Sequence, residues 1–142
     1  MSKILLTSDW HFSHRNTIIG LSSWTTSKPF RSFSSIEEMN STILDNLNSV
    51  VGQNDILYNL GDVIFGTLRD IPEILDKIRC KNIHLIYGNH DKKLIKQKWF
   101  QSYFRSIQPY LELKYNKEKI VLCHYPFLTW NRSHHGSISC HG

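Results

Sequence analysis

No run of 18 or more apolar residues interrupts the 142-residue sequence, so nothing in it reads as a helix able to cross a bilayer. The opening Met1-Ser2-Lys3-Ile4-Leu5-Leu6 meets polar Thr7-Ser8-Asp9 too soon to form the apolar core of a secretory signal. Cysteine is scarce: Cys80, Cys123 and Cys140 are odd in number and show no Cys-x-x-Cys spacing. That argues against a disulfide framework or a thiolate zinc site and leads us to expect free thiols in the cytoplasm. No repeat, low-complexity tract or linker is visible, and a hydrophobic fraction of 40% with 20% charged residues is that of a folded protein. At this length roughly two-thirds of the unfolded surface can be buried, so residues 1–142 read as one domain. A net charge of +5 is compatible with an anionic partner, nucleic acid included, although solvated surface lysines produce the same number without binding anything. Histidine, by contrast, is abundant: eight are present, and their positions need explaining.

Short apolar runs recur at 3–8 (KILLTS), 55–60 (DILYNL), 82–87 (NIHLIY) and 119–124 (KIVLCH), each bounded by turn formers, which is the signature of buried strands. Between them lie helical patterns. Ser34 or Ser35 with Glu37 and Glu38 predicts a capping box, followed by Ile36, Met39, Ile43, Leu44, Leu47 and Val50 at helical spacing until Gly52. A second helix is expected from Asp70, as N-cap, to Ile78, with Pro72 in its first turn. The alternation of strand and helix predicts an α/β fold with a parallel sheet covered by helices. After Asp91 the pattern changes. Residues 94–104 suit a helix, and YLELKY at 110–115 alternates like a strand that Asn116-Lys117 turns back into KIVLCH.

In open α/β sheets, ligands collect beyond the carboxyl ends of the strands. The first run is followed by Asp9-Trp10-His11, the second by Gly61-Asp62, the third by Gly88-Asn89-His90-Asp91, and the fourth ends in His124. Any one of these has a bland explanation, a turn aspartate or a hydrogen-bonded core histidine; four in succession do not. Oxygen and imidazole donors without thiolate suit Mn²⁺, Fe, Zn²⁺ or Ni²⁺. A carboxylate on the neighbouring strand can bridge two ions about 3.5–4 Å apart, the arrangement of a two-metal hydrolase.

The segments DWH, GDVIFG, GNHD and CHYPF, in that order, resemble the calcineurin-like metallophosphoesterases, whose pattern runs DxH, GDxx(x)G, GNHD/E, a lone H and GHxH. The likeness extends over the whole chain, through SDWHFSHRNTI, PFRSFSSIEEMN and HYPFLTWNRSHHGSI, and is closest to small bacterial and phage phosphoesterases. It implies a layered α/β/β/α sandwich with mixed sheets flanked by helices. It also implies two divalent cations, Mn²⁺ first, and hydrolysis of a phosphomono- or phosphodiester of a small, nucleotide-like substrate by a hydroxide held at the metals. Position by position it implies that Asp9 and His11 bind the first metal, Asp62 bridges, and Asn89 and His124 bind the second. His90 would face the phosphate and give a proton to the leaving oxygen, with Asp91 orienting it or raising its basicity. The sequence reads Cys140-His141-Gly142 where the last motif begins, so the resemblance implies a C-terminally shortened domain with three protein ligands per metal. Two rival readings are a binding module that keeps the fold and partial metal binding, and a nuclease with the same chemistry and a groove for a polymer.

Around this set, His14, Arg15 and His135 are candidates for contacting the substrate phosphate, because strand-end loops concentrate binding residues. His84 lies inside an apolar run and reads as structural, and Lys92, Lys93, Lys96 and Lys98 as a solvated face. Residues 21–35 form a long loop whose Trp24, Phe30 and Phe33 either stack on a base or anchor the loop.

Overall fold

The computed structural model describes residues 2–20 and 29–142; Trp24 and most of the expected long loop lie outside the described residues. Four strands, β1 (Ile4–Thr7), β2 (Ile56–Asn59), β3 (Ile83–Ile86) and β4 (Ser106–Gln108), form a parallel sheet in that order, with Leu5 opposite Leu57 and Leu57 opposite Ile83. A second sheet pairs β5 (Tyr110–Tyr115) antiparallel with β6 (Glu118–Cys123) and β6 parallel with β7 (Ile138–Cys140). The 119–124 run therefore belongs to a different sheet from the first three. Its pairing was legible, because Asn116 and Lys117 both adopt positive φ, 47° and 72°, as a tight hairpin turn requires. The strands β4 and β7 were not foreseen: three residues that include Ser106, Gln108 and Ser139 are too short and too polar to show an apolar run.

The helices are α1 (Asn16–Ile19), α2 (Ile36–Val50), α3 (Asp70–Leu75) and α4 (Lys98–Gln101), with 3₁₀ turns over Asp91–Lys96 and Ser133–His135. None of the helices among the described residues is long and apolar enough to cross a membrane. Ser35 caps α2 by accepting the Glu38 amide at 3.0 Å, while Glu38 reaches back to the Ser34 amide at 2.8 Å. The cap of α3 sits earlier than expected: Thr67 and Asp70 exchange backbone-to-side-chain bonds, both 3.3 Å. The helix also ends at Leu75, short of Ile78.

Two cores result. One lies between the parallel sheet and the helices, where Leu57, Ile83 and Leu85 meet Leu47, Ile71, Leu75 and Phe100. The other lies between the sheets, where Tyr58, Leu60 and Ile86 meet Leu111, Leu113, Ile120 and Leu122. Both fit the period-2 side-chain alternation of the strands.

Two buried carboxylates tie the chain across these layers. Asp55 accepts the Lys3 amide (2.7 Å) and the Gly52 amide (2.8 Å), joining the start of β1 to the turn before β2. Those hydrogen bonds hold its carboxyl below the ordinary carboxylate value near 3.8. Asp91, fully buried, accepts the amides of Asp62 (2.8 Å), Val63 (3.0 Å) and Gly88 (2.8 Å), so it clamps the turn after β2 to the turn after β3.

Asp91→Ala strands three buried amides and is expected to cost on the order of 3 kcal/mol, measured as a lower urea midpoint. Asp55 is depressed in the folded state, so its stabilisation is present above the ordinary carboxylate pKa and lost as pH falls through the folded value. Melting scans of Asp55→Asn below about pH 4 should therefore fall less steeply than those of the parent; equal slopes would contradict this assignment.

Candidate metal centre

At the carboxyl end of β1 the backbone alternates in an unusual way: Asp9, His11 and Ser13 all have positive φ, at 50°, 50° and 58°. Strain at residues of this kind persists only where surrounding contacts over-determine the conformation. The intervening Trp10 and Phe12 are buried in the helix-side core, at 4% and 0% exposure, so the odd-numbered side chains turn the other way. The turn is pinned to the next strand end by Asp9 N–H to Gly61 O (2.9 Å), His11 N–H to Asp62 O (3.1 Å) and Phe12 N–H to Val63 O (3.2 Å). Arg31 closes it from outside, donating to the carbonyls of Asp9 (2.6 Å) and Trp10 (2.7 Å), and Asn40 holds Ser13 through both its amide atoms.

Asp62, also at positive φ (56°) and 4% exposed, is the hub. Its Oδ2 lies 3.7 Å from His11 Nε2, 3.8 Å from His90 Nε2 and 3.6 Å from His124 Nε2, while Oδ1 accepts the His90 amide at 3.0 Å. Asp9 Oδ1 is 3.2 Å from His11 Nε2. Asn89 Oδ1 is 3.2 Å from His124 Nε2.

The protons on His124 decide what this convergence means. Its Nδ1 lies 2.7 Å from the Leu60 carbonyl, which can only accept, so Nδ1 carries a proton and Nε2 is the nitrogen left to ligate. Nε2 faces the Asn89 carbonyl at 3.2 Å and the Asp62 carboxylate at 3.6 Å, which offer only lone pairs. Asp9 Oδ2 is buried with no hydrogen-bond partner, and Asp9, Asp62 and His124 each bring a ligand atom within 4.8 Å of the others. Carboxylate oxygens and ring nitrogens converging on one point are what a divalent cation binds, and oxygen with imidazole donors suits a hard or borderline ion. The residues present fit such a group.

Close backbone approach makes the convergence attainable. A Cβ on Gly61 (φ 106°) would fall 2.5 Å from Gly88 N and 2.7 Å from His124 Nδ1, and one on Gly88 would strike the Asp62 carboxylate. The glycines of GDVIFG and GNHD thus let the two turns and His124 touch. Burial alone would raise the Asp9 carboxyl, but hydrogen bonds from His11 and Ser8 and the nearby imidazoles bring it below its usual value, keeping it ionised.

A residue that sequence reasoning missed underlies the imidazoles. The Phe65 ring stacks on His14 at 3.7 Å between centroids and 14°, on His11 at 5.3 Å and 13°, and leans on His90 at 4.7 Å. Its signal was only its place in GDVIFG, where it read as a spacer. Arg31 and Asn40, which shape the Asp9–Ser13 turn, were likewise unmarked, because their contacts span about two to three dozen residues of sequence.

The structure brings Asp9, His11, Asp62, Asn89, His90 and His124 together, with His14 touching His11 through Nδ1 at 2.9 Å. Burial, with His11, His90 and Arg31 nearby, pushes the His14 imidazole down to about 4. Asp91 lies beneath the site, and its hydrogen bonds go to three backbone amides rather than to the His90 ring. Arg15 is exposed in a groove with Glu37, Asp45, Asp70 and Glu73, on the α2 and α3 side of Ser13. His135 is not brought to the centre: its ring is tilted against His134 and lines a pocket with Lys114, Lys117 and Lys119 at the far end of the β5–β6 hairpin. The chain doubles back after His124, so closeness in sequence does not become closeness in space. His84 is structural, bonded to Ser106 Oγ at 2.8 Å and stacked on Tyr58. Lys92, Lys93, Lys96 and Lys98 lie on the outer surface of the segment that follows GNHD. Gly142 lies against the centre, its amide 3.0 Å from the His124 carbonyl and its Cα beside Asp9 Oδ2.

The profile of the calcineurin-like phosphoesterases matches residues 2–142. An uncharacterized protein of Methanocaldococcus jannaschii is 37% identical over 140 residues, covering 97% of this chain and 67% of its own length. The crystal structure of a protein of unknown function from Aquifex aeolicus superimposes with a TM-score of 0.62 at 31% identity. That alignment covers 89% of this chain and 62% of the solved one, so the chain spans somewhat under two-thirds of that structure. With the ordered strand-end residues converging around Asp62, the chain belongs to the calcineurin-like phosphoesterase family.

Proposed function

We propose that this chain is a hydrolase of phosphomono- or phosphodiesters of a small, nucleotide-like substrate, working at a dinuclear centre. One observation carries the reading: Asp62 Oδ2 is ringed by three imidazole Nε2 atoms within 3.8 Å, beside a buried Asp9 oxygen that has no partner. Asp9, His11 and Asp62 would hold one cation, and Asp62, Asn89 and His124 the other. We propose Mn²⁺, because the set contains no thiolate. Such ions supply an activated water and neutralise charge on the phosphoryl oxygens.

The chain's own residues divide the remaining work. His90 is the imidazole of the set that stays open to solvent, with its side chain 44% exposed, against 15% for His11 and 9% for His124. Its amide is fixed on Asp62 Oδ1 and its ring rests against Phe65, which leaves Nε2 3.8 Å from Asp62 Oδ2 on a half-open side chain. From the edge of the centre it meets the phosphate and delivers a proton from Nε2 to the leaving oxygen. Asp91 acts through the backbone, holding the Asp62 and Gly88 turns at the separation the two sites need. Cys80, Cys123 and Cys140 are free, which supports a reducing compartment such as the cytoplasm.

Removing metal with a chelator should abolish hydrolysis of an activated phosphodiester such as bis(4-nitrophenyl) phosphate, and Mn²⁺ should restore it. A metal-loaded protein inert to every phosphate mono- and diester would sink the reading. His90→Ala should lower kcat roughly 10²- to 10⁴-fold while calorimetry finds the Mn²⁺ affinity unchanged. If metal affinity falls instead, His90 is a ligand and not the proton donor.

A further inference from the structure

His11 and His124 are related by more than their ligand roles. In His124 a neutral acceptor, the Leu60 carbonyl, accepts from Nδ1–H and leaves Nε2, 3.6 Å from Asp62 Oδ2, as the nitrogen free to ligate. In His11, Nε2 likewise faces Asp62 Oδ2 at 3.7 Å and Asp9 Oδ1 at 3.2 Å, but its Nδ1 meets no carbonyl; it lies 2.9 Å from His14 Nδ1. Two ring nitrogens at that distance share one proton, one donating and the other accepting.

We propose that His14 is a positioning residue: when a cation takes the His11 Nε2 position, His14 accepts the His11 Nδ1–H on its own Nδ1 and so stabilises the tautomer that leaves the Nε2 lone pair to the metal centre. This role rests on the dinuclear reading of the Asp62 cluster. A neutral imidazole that ligates through Nε2 must carry its proton on Nδ1, and that N–H needs an acceptor. His14 then keeps its own proton on Nε2. Its ring is placed for this by Phe65, stacked 3.7 Å away and nearly parallel, and by the helix start, where the His14 carbonyl accepts the Thr17 amide (3.1 Å) and hydroxyl (2.7 Å). The choice of partner has an electrostatic consequence. Carboxylates commonly orient metal-bound histidines and add negative charge; an imidazole and a carbonyl orient His11 and His124 without adding any. The charge at the centre is left to Asp9 and Asp62.

Two variants separate this role from mere contact with substrate. His14→Phe keeps a ring on Phe65 but removes the acceptor, and His14→Gln restores a carbonyl acceptor. Calorimetric Mn²⁺ affinity should drop about 10- to 100-fold in His14→Phe, and His14→Gln should recover most of it. Equal melting temperatures of the metal-free variants would exclude a folding defect as the cause. Parent-like Mn²⁺ affinity in His14→Phe, or no recovery of affinity in His14→Gln, overturns the proposal. A parent protein that binds no Mn²⁺ overturns the metal-centre reading instead.

Discussion

The buried carboxylate of Asp91 is the contact on which the rest of the site hangs. Three amides from two separate turns, those of Asp62, Val63 and Gly88, point at one side chain with no access to solvent. Charge-assisted hydrogen bonds of this kind are stronger than neutral ones, and each stranded amide would be costly. By fixing the turn after β2 against the turn after β3, Asp91 sets where Asp62, Asn89 and His90 project. The glycines at 61 and 88 then let His124 close in from the second sheet to within contact of both turns. The parallel sheet thus contributes three strand ends and the second sheet one, and the centre lies where the layers meet.

The same design recurs at smaller scale. Left-handed backbone at Asp9, His11, Ser13 and Asp62 is unfavourable for residues other than glycine, and here it is held by backbone pairing, by Arg31 and by Asn40. The benefit is directional. Trp10 and Phe12 go into the core while Asp9 and His11 go to the centre, so the packing that stabilises the fold also aims the ligand atoms. A substitution at Trp10 would therefore disturb the centre without touching it.

Much of this was legible in the amino-acid order. β1, β2, β3 and β6 were visible because each is a short apolar run between turn formers, and the site because each such run is followed by Asp, Asn or His. What remained hidden depends on contacts distant in sequence. Phe65 reads as a spacer until its ring is found under three imidazoles, and Arg31 reads as one more cation until its guanidinium is seen on two strand-end carbonyls. Asp91, as part of GNHD, suggests a partner for His90; its burial and its three amides give it a mainly architectural role. His135 illustrates the opposite failure, since it follows His124 closely in sequence yet ends beside Lys117 at the other end of the hairpin. β4 and β7 escaped because three residues cannot display a period.

The central claim is that the lone pairs gathered around Asp62 form a metal centre. Its most direct test is anomalous diffraction from crystals of this chain equilibrated with Mn²⁺. Manganese density is expected between Asp9, Asp62 and His124. Manganese found only on surface carboxylates, with Asp9 Oδ2 still unpartnered, would contradict the claim.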